Sequence, residues 1–279
     1  MEPKISVVTP SYNAASCIRE AALSVLNQSY ENYEYIVMDG GSTDDTVNIL
    51  KDIAHNHPQR HKFRWISERD RGQTDAINKG LRLSTGEWFA FLNADDYYEA
   101  NAFRNLEAVF VQHRDKAILY GNCKVYYDGL PEKDTISYRP PSRIDFKTMS
   151  AGNQVFGPAS FYNMQILRRA GEFDTNLHYW MDYDMYLRIS KMGKLQYVDK
   201  CIATFRISHG QKSPSDFRNK SVYRNFQKEA HYVYFKNGGG YFNKLLLRRS
   251  ITIGRIIFWR NRLKGDPHYL RVVRLADRK

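Results

Sequence analysis

Residues 88–96, Trp88-Phe89-Ala90-Phe91-Leu92-Asn93-Ala94-Asp95-Asp96, pass from five consecutive apolar side chains straight into an amide and two carboxylates. So short and so apolar a run reads as a strand buried on both faces, with the polar cluster set at its carboxyl end. The same pattern recurs upstream. Ile5-Ser6-Val7-Val8-Thr9 reads as a short buried strand broken by Pro10. Tyr35-Ile36-Val37-Met38 reads as a second, ending at Asp39-Gly40-Gly41, and Phe63-Arg64-Trp65-Ile66 as a third. Helical signals separate them. One runs from about Ser16 to Gln28, with Ile18, Ala22, Val25 and Leu26 at helical spacing. Another is expected to be capped by Ser42 or Thr43, with Asp45 or Thr46 in its first turn, and a further one covers about Thr74 to Leu83. Strands alternating with helices predict an α/β fold with a mostly parallel central sheet and flanking helices. In such sheets ligands bind beyond the carboxyl ends of the strands. Thr9-Pro10-Ser11-Tyr12, Asp39, Asp70 and Asn93 to Asp96 fall at those ends.

Downstream, residues 117–207 read as mixed α/β. Strands are expected at Ile118 to Tyr127, near Ala159 to Tyr162, at Leu195 to Val198 and at Ala203 to Ile207. Helices are expected at about Asn163 to Ala170, closed by Gly171, and at about Asp182 to Met192, closed by Gly193. Beyond His209 the pattern turns helical, at roughly 216–236 and 241–264, on either side of Gly238-Gly239-Gly240. The 279 residues suit one large domain with an appendage, and 42 % apolar and 14 % aromatic residues exclude overall disorder. No stretch approaches the length of a transmembrane helix, and the N-terminal residues lack the hydrophobic run of a secretory signal. Three well-separated cysteines, Cys17, Cys123 and Cys201, match no zinc or disulfide spacing and suggest a reducing, cytoplasmic setting.

Four segments could carry chemistry. Asn93-Ala94-Asp95-Asp96 suits a hard divalent cation, which takes one or two carboxylates plus substrate phosphates; alternatively Asp95 or Asp96 starts the helix that runs to Gln112. Asp39 could accept hydrogen bonds from a nucleotide, or begin a turn with the glycines behind it. Glu68 to Asp75 is dense in charge, with arginines suited to pyrophosphate, although a solvated loop would look the same. Trp180-Met181-Asp182-Tyr183-Asp184 sets two carboxylates at a helix start, one expected to serve the helix dipole and one free to act as a general base. The chain has no G-x-G-x-x-G after its first strand, no G-x-x-x-x-G-K-[ST], no G-x-S-x-G and no His/Cys metal cluster. Dinucleotide dehydrogenases, P-loop NTPases, α/β-hydrolases and zinc sites are thereby disfavoured.

Taken in order, these pieces resemble the family-2 glycosyltransferases of GT-A fold. The resemblance rests on Ile5 to Asn13, Ile36 to Asp44, Asp70-Arg71-Gly72-Gln73 with Ala76-Ile77-Asn78-Lys79-Gly80, and Leu92 to Asp96. It continues through Gly171-Glu172-Phe173-Asp174 and Asp182 to Arg188, covering about residues 4–210. It implies an inverting transferase that takes a sugar from a nucleotide-diphosphate sugar, with UDP the expected nucleotide and guanine or thymine as alternatives. By the same resemblance Pro10, Tyr12 and Asp39 hold base and ribose, while Asp70 and Arg71 close over the nucleotide. Asn93-Ala94-Asp95 occupies the place of the family's D-x-D motif, with Asn93 bonding a ribose and Asp95 holding Mn²⁺ or Mg²⁺. Asp182 falls where the family keeps its catalytic base, and His209 lies in a segment whose histidine can reach the metal or the diphosphate. The departures are Asn93 for the first D-x-D carboxylate and Met181 before Asp182.

The charge of +12 is uneven. Residues 201–279 hold 18 Lys and Arg against 4 Asp and Glu, whereas the first 200 hold 24 against 26. The reading is therefore a catalytic domain over 1–210 and a basic helical extension over 211–279. On a helix over 244–262, Lys244, Arg248, Arg255 and Arg262 form one stripe, opposite Leu246, Leu247, Ile253, Ile257 and Phe258. That pattern suits an anionic membrane surface, contacted through 241–264 on the inner face of the cell membrane, or a helix packed on the body with its charges solvated. The acceptor would then be a saccharide or lipid-linked saccharide of the cell envelope. Two rivals carry less. No nucleic-acid-binding motif accompanies the basic segment, so no nucleic-acid partner is expected. A sugar nucleotidyltransferase would show a Gly-rich basic loop where Ser11-Tyr12-Asn13-Ala14-Ala15 stands.

Overall fold

The computed structural model describes residues 2–127, 135–150, 152–207 and 220–239. Four parallel strands form one half of the sheet: β1 (Ile5–Ser11), β2 (Tyr33–Asp39), β3 (Phe63–Ser67) and β4 (Trp88–Phe91), in spatial order β3-β2-β1-β4. Helices α1 (Ile18–Leu26), α2 (Thr46–Asn56) and α3 (Gln73–Leu83) make the connections. Side chains alternate between two cores. Ile5, Val7, Tyr35, Val37, Trp88 and Ala90 face one, while Val8, Ile36, Met38, Phe89 and Phe91 face the other. With both faces covered, the central strands are mostly apolar, and the polar side chains within them are hydrogen-bonded, Ser6 to Glu34 and Thr9 to the Tyr35 hydroxyl.

Beyond β4 the sheet continues through β8 (Ser160–Asn163), antiparallel to both β4 and β6 (Ile118–Tyr127). Next come β9 (Leu195–Ile207), parallel to β6, and β5 (Tyr97–Tyr98) at the edge, with β7 (Ile136–Tyr138) beside β6. Helix α4 (Ala102–Gln112) covers the first core. Helices α6 (Met164–Ala170) and α7 (Met181–Ser190) cover the second, and α5 (Phe146–Ser150) contributes Met149 to it. Helix α8 (Lys220–Lys236) packs on α7 and buries Ala230, Val233 and Tyr234. No described helix is long and apolar enough to cross a membrane.

Local expectations fail in four places. Strand β1 is not broken by Pro10 but runs to Ser11, pairing Pro10 with Met38. Val8 shows its carbonyl to the β4 side, where it accepts from Leu92, so Pro10 two residues on turns the same way. The β1–β4 pairing has ended by then, at Val8 opposite Phe91, so the missing N–H of Pro10 forfeits no ladder bond. Neither Ser42 nor Thr43 caps α2, which starts at Thr46 after Asp45; the Asp44 carboxylate accepts from Thr46 N–H and hydroxyl instead. No helix starts at Asp95 or Asp96: strand β5 intervenes, and α4 follows Asn101 in a left-handed conformation. The two short strands expected at 195–198 and 203–207 are one strand. Its pairing skips Asp199 and Lys200 opposite Gly121 and Asn122, a bulge that holds two polar residues within a ladder.

Helix α3 lies flush on β1 because Gly80 has no side chain. A Cβ there would stand 2.4 Å from Val8 Cγ1 and 2.8 Å from Cγ2. Since Gln73 opens α3 and lines the cleft described below, the contact also sets that residue's height over the strand ends. Gly80→Ala is expected to cost about 1–3 kcal/mol of stability by overpacking. Urea unfolding with an unchanged m-value would register it, and a variant as stable as the parent would show that α3 can slide.

Candidate active site

A cleft of about 990 Å³ opens along the carboxyl ends of β1 and β4 and is closed on its far side by the N-terminus of α7. The β1 end supplies Pro10, Ser11 and Tyr12; the Tyr12 ring is 64 % exposed, a large aromatic surface offered to whatever enters. The Ser11 hydroxyl, buried on the same wall, has no hydrogen-bond partner among the described residues. The chain then turns at Asn13, in a left-handed conformation, and is stitched to the loop after β2. Asn13 N–H donates to Ser42 Oγ at 2.7 Å, Thr43 N–H donates to Asn13 Oδ1 at 2.8 Å, and Ala14 N–H donates to Thr46 Oγ1 at 2.8 Å.

Asp39, expected on the nucleotide, does not line the cleft. It is buried at the end of β2, and its carboxylate is occupied. Oδ2 accepts from Ser67 Oγ at 2.6 Å, Ser42 N–H at 3.0 Å and Gly41 N–H at 3.2 Å, while Oδ1 accepts from Ser42 Oγ at 2.5 Å. One carboxylate thus ties the glycine turn to the end of β3. Asp70 does line the cleft, with Oδ1 accepting from Gly72 N–H at 2.7 Å. It rests against Gly40, where a Cβ would meet its Oδ2 at 2.6 Å. Arg71 points away: its side chain is 76 % exposed, and its guanidinium lies 3.3 Å from Asp75.

At the β4 end the three polar residues divide their tasks. Asn93 is held from both sides, its Oδ1 accepting from Gln73 Nε2 at 2.6 Å and its Nδ2 donating to Asp96 Oδ2 at 3.0 Å. Asp96 is fully buried and accepts from Arg206 N–H at 3.0 Å. Burial, and then the neighbouring Asp95 charge, push its carboxyl well above the usual range. Asp95 is half-buried and lines the cleft. Among the described residues no three His, Cys, Asp or Glu side chains gather as a metal cluster. His209 lies outside the described residues.

On the opposite wall the two carboxylates of α7 separate just as sharply. Asp184 is fully buried and neutralised by Arg188 Nε at 2.8 Å and Lys236 Nζ at 3.1 Å, with Asn237 Nδ2 at 3.0 Å. It is structural. Asp182 faces the cleft and is pushed up to about 6, chiefly by burial, with the Glu229 charge adding to the rise. Hydrogen bonds from Tyr183 N–H, at 2.7 Å to Oδ1, and from the Asn153 side chain oppose that rise. A carboxylate poised near neutrality in a half-desolvated cleft is suited to taking a proton. Around it the wall is aromatic, with Tyr179, Trp180, Phe156, Phe205 and Phe226.

The structure thus brings Pro10, Tyr12, Asp70, Asn93, Asp95 and Asp182 to one cleft and leaves Asp39 and Arg71 off its walls. Sequence reasoning missed Ser11, Asn153 and Phe226. The first stood inside a quoted strand end, while 152–158 and 226 carry no recognisable pattern.

The chain is similar to known proteins in both sequence and fold. Residues 6–172 match the family model described as Glycosyl transferase family 2. The chain is 30 % identical over 234 residues to the chondroitin synthase of Escherichia coli, covering 82 % of this chain but only 32 % of that protein, so it spans about a third of that relative's length. Among solved structures, S. aureus TarS in complex with UDP-GlcNAc superposes with a TM-score of 0.62 at 20 % identity, covering 81 % of this chain and 66 % of that one. The mannosyltransferase PcManGT from Pyrobaculum calidifontis, in complex with GDP-Man and Mn²⁺, gives 0.58 at 17 % identity, covering 100 % and 89 %.

Proposed function

The chain belongs to glycosyl transferase family 2, and on that premise we propose that it transfers a sugar from a UDP-sugar to a hydroxyl of a glycan or lipid-linked saccharide, inverting the anomeric centre. The observation that carries the reading is the pairing of two unlike walls in one cleft. Polar strand ends with Tyr12, Asp70 and Asp95 stand on one side, and a carboxylate of raised proton affinity, Asp182, stands on the other. Tyr12 offers a face for the base, and Asp70 with the Ser11 hydroxyl offers polar contacts to the nucleoside. The uridine assignment draws on the UDP-GlcNAc complex of TarS, and the polysaccharide acceptor on the chondroitin synthase relative.

In the reaction, the acceptor oxygen forms a bond to carbon 1 of the sugar as the bond from carbon 1 to the diphosphate oxygen breaks. The nucleoside diphosphate leaves with that electron pair, and the acceptor's hydroxyl proton passes to Asp182. A single displacement of this kind inverts carbon 1, through a transition state with oxocarbenium character. Asp182 must be ionised beforehand, so kcat/KM should rise with pH, falling about tenfold per unit below an apparent value near 6 and levelling above it.

A divalent cation, Mn²⁺ or Mg²⁺, fits the residues present in a limited way. Of the carboxylates after β4, Asp96 is committed to the interior and Asp95 lines the cleft, the sparse set that suits a cation bound largely through substrate phosphates. Asp95 would hold it, with His209 as a second candidate, and when bound it supplies positive charge against the leaving diphosphate.

Asp182→Asn should lower kcat by roughly 10²–10⁴-fold while leaving UDP affinity nearly intact; retained turnover would remove Asp182 from the mechanism. Calorimetric titration of UDP with and without Mn²⁺ tests the donor site. Asp95→Ala should abolish the metal-dependent part of that affinity, and binding with Mn²⁺ equal to the parent's would place the cation elsewhere. We also propose that 241–264, outside the described residues, attach the protein to an anionic membrane surface. Deleting 241–279 should reduce co-sedimentation with phosphatidylglycerol vesicles, most visibly at low salt. Equal sedimentation would favour packing on the body.

A further inference from the structure

Helix α7 begins without a cap of its own. Trp180, the residue before its first turn, makes no side-chain hydrogen bond to the first-turn N–H groups, and the two N–H groups that lead into the helix, those of Tyr179 and Trp180, take their partner from another element. That partner is on α8, in the basic extension. Glu229 Oε1 accepts from Tyr179 N–H at 2.6 Å and from Trp180 N–H at 2.8 Å. One turn before it, the Phe226 carbonyl accepts from the Trp180 indole N–H at 2.9 Å, and the two rings lie 4.5 Å apart. A second tie joins the two helices at the same first turn of α7. At the other end of α8, Lys236 and Asn237 bind Asp184, which has no part in the cleft.

From this geometry we propose that Glu229 is a positioning residue for Asp182, fixing the backbone that enters α7 and hence where the Asp182 carboxylate stands in the cleft. The proposal rests on Asp182 being the base. Asp182 is two residues beyond Trp180, on the first turn of the helix whose entry Glu229 holds. A carboxylate accepting two backbone N–H groups makes charge-assisted bonds, stronger than a neutral side chain would. Its charge has a second consequence. The ionisable groups facing Asp182 are Glu229 from α8, the phenols of Tyr162 on β8 and of Tyr186 one turn along α7, with the Asn153 amide completing the surroundings. Asp70, Asp95 and His178 line the same cleft. Among these, Glu229 is the charge that acts to raise the Asp182 carboxyl. Acceptor and charge are separable by substitution, because Gln keeps an oxygen in place of Oε1 and loses only the charge.

The test is a pH–rate profile, with donor KM, for Glu229→Gln and Glu229→Ala beside Asp182→Asn, using the full chain and its UDP-sugar. Glu229→Gln should hold plateau kcat within about twofold of the parent while its acid limb moves to lower pH by up to about half a unit. Glu229→Ala should lower plateau kcat on the order of tenfold or more, because a small displacement of the base is costly. Donor KM should stay unchanged in both, since the donor wall is built by β1 and β4. Activity lost with the acid limb unmoved in both variants is what an impaired fold alone would give, and it overturns the proposal. Parent-like profiles in both overturn it as well. Should Glu229→Ala fail to fold, Glu229→Gln decides by its acid limb. Turnover in Asp182→Asn would overturn the base assignment and the proposal together, whereas loss there with parent-like Glu229 variants overturns the proposal alone.

Discussion

The polar residues of the cleft are arranged around one constraint: the central strands are buried on both faces. β1, β2 and β4 send alternate side chains into two separate cores, so a charged group within them would be stranded. Polar residues are therefore pushed to where the strands run out, and parallel strands run out on the same edge. Pro10 to Tyr12 and Asn93 to Asp95 meet in one cleft because the register aligns Val8 with Phe91, so the residues that follow each run side by side beyond that pair. The far half of the sheet follows suit. β9 runs parallel to β6 and delivers Phe205 to the same cleft, and the backbone of Arg206 to Asp96.

The same side chain does different work depending on what surrounds it. Asp39, Asp96, Asp182 and Asp184 are all aspartates near the ends of elements. Asp39 is saturated by hydroxyl and amide donors and holds a turn; Asp184 is neutralised by two cations and holds α8 against α7. Asp96 is buried with an amide from Asn93 and a backbone N–H, and its carboxyl is driven upward. Asp182 alone combines exposure to the cleft with enough desolvation to bring it near neutrality. Isolation from counter-charge, rather than position in a motif, separates a carboxylate of raised proton affinity from a structural ion pair.

That distinction marks how far the sequence could be read. Apolar runs and helix periods are local, so strands β1 to β4, the helices between them and the cleft at their carboxyl ends were legible. The sequence also suggested that the two acids at the start of α7 would differ, one serving the helix and one facing a ligand; in the structure Asp184 is buried on Arg188 and Lys236 while Asp182 lines the cleft. Misreadings arose where a group took a partner other than the one its local pattern suggested. Ser42 looked like a helix cap, but Asp39 accepts its hydroxyl and its N–H. Asp199 and Lys200 looked like the end of a strand, but a bulge against β6 carries them. The segment 152–158 could not be read at all, because Asn153 matters only through the carboxylate it meets after folding.

The extension shows the same limit in its charge. A count of Lys and Arg over 201–279 suggests a surface reaching outward, yet several ions in the described part of that segment turn inward, while Arg224 and Lys228 are exposed. Lys236 lies between Asp174 and Asp184, at 2.7 and 3.1 Å, and Glu229, one of only four acids there, is turned to the entrance of α7. Arg206, at the start of the segment, is paired with Glu20. Formal charge therefore overstates what this part of the chain can offer a partner. It also follows that α8 cannot be treated as an appendage to a finished catalytic unit. Its Phe226 is part of the cleft wall and its Glu229 completes the start of the helix that carries Asp182. A chain ending at 210 would keep the strand-end wall, built by β1 and β4, and lose the group that fixes the wall opposite.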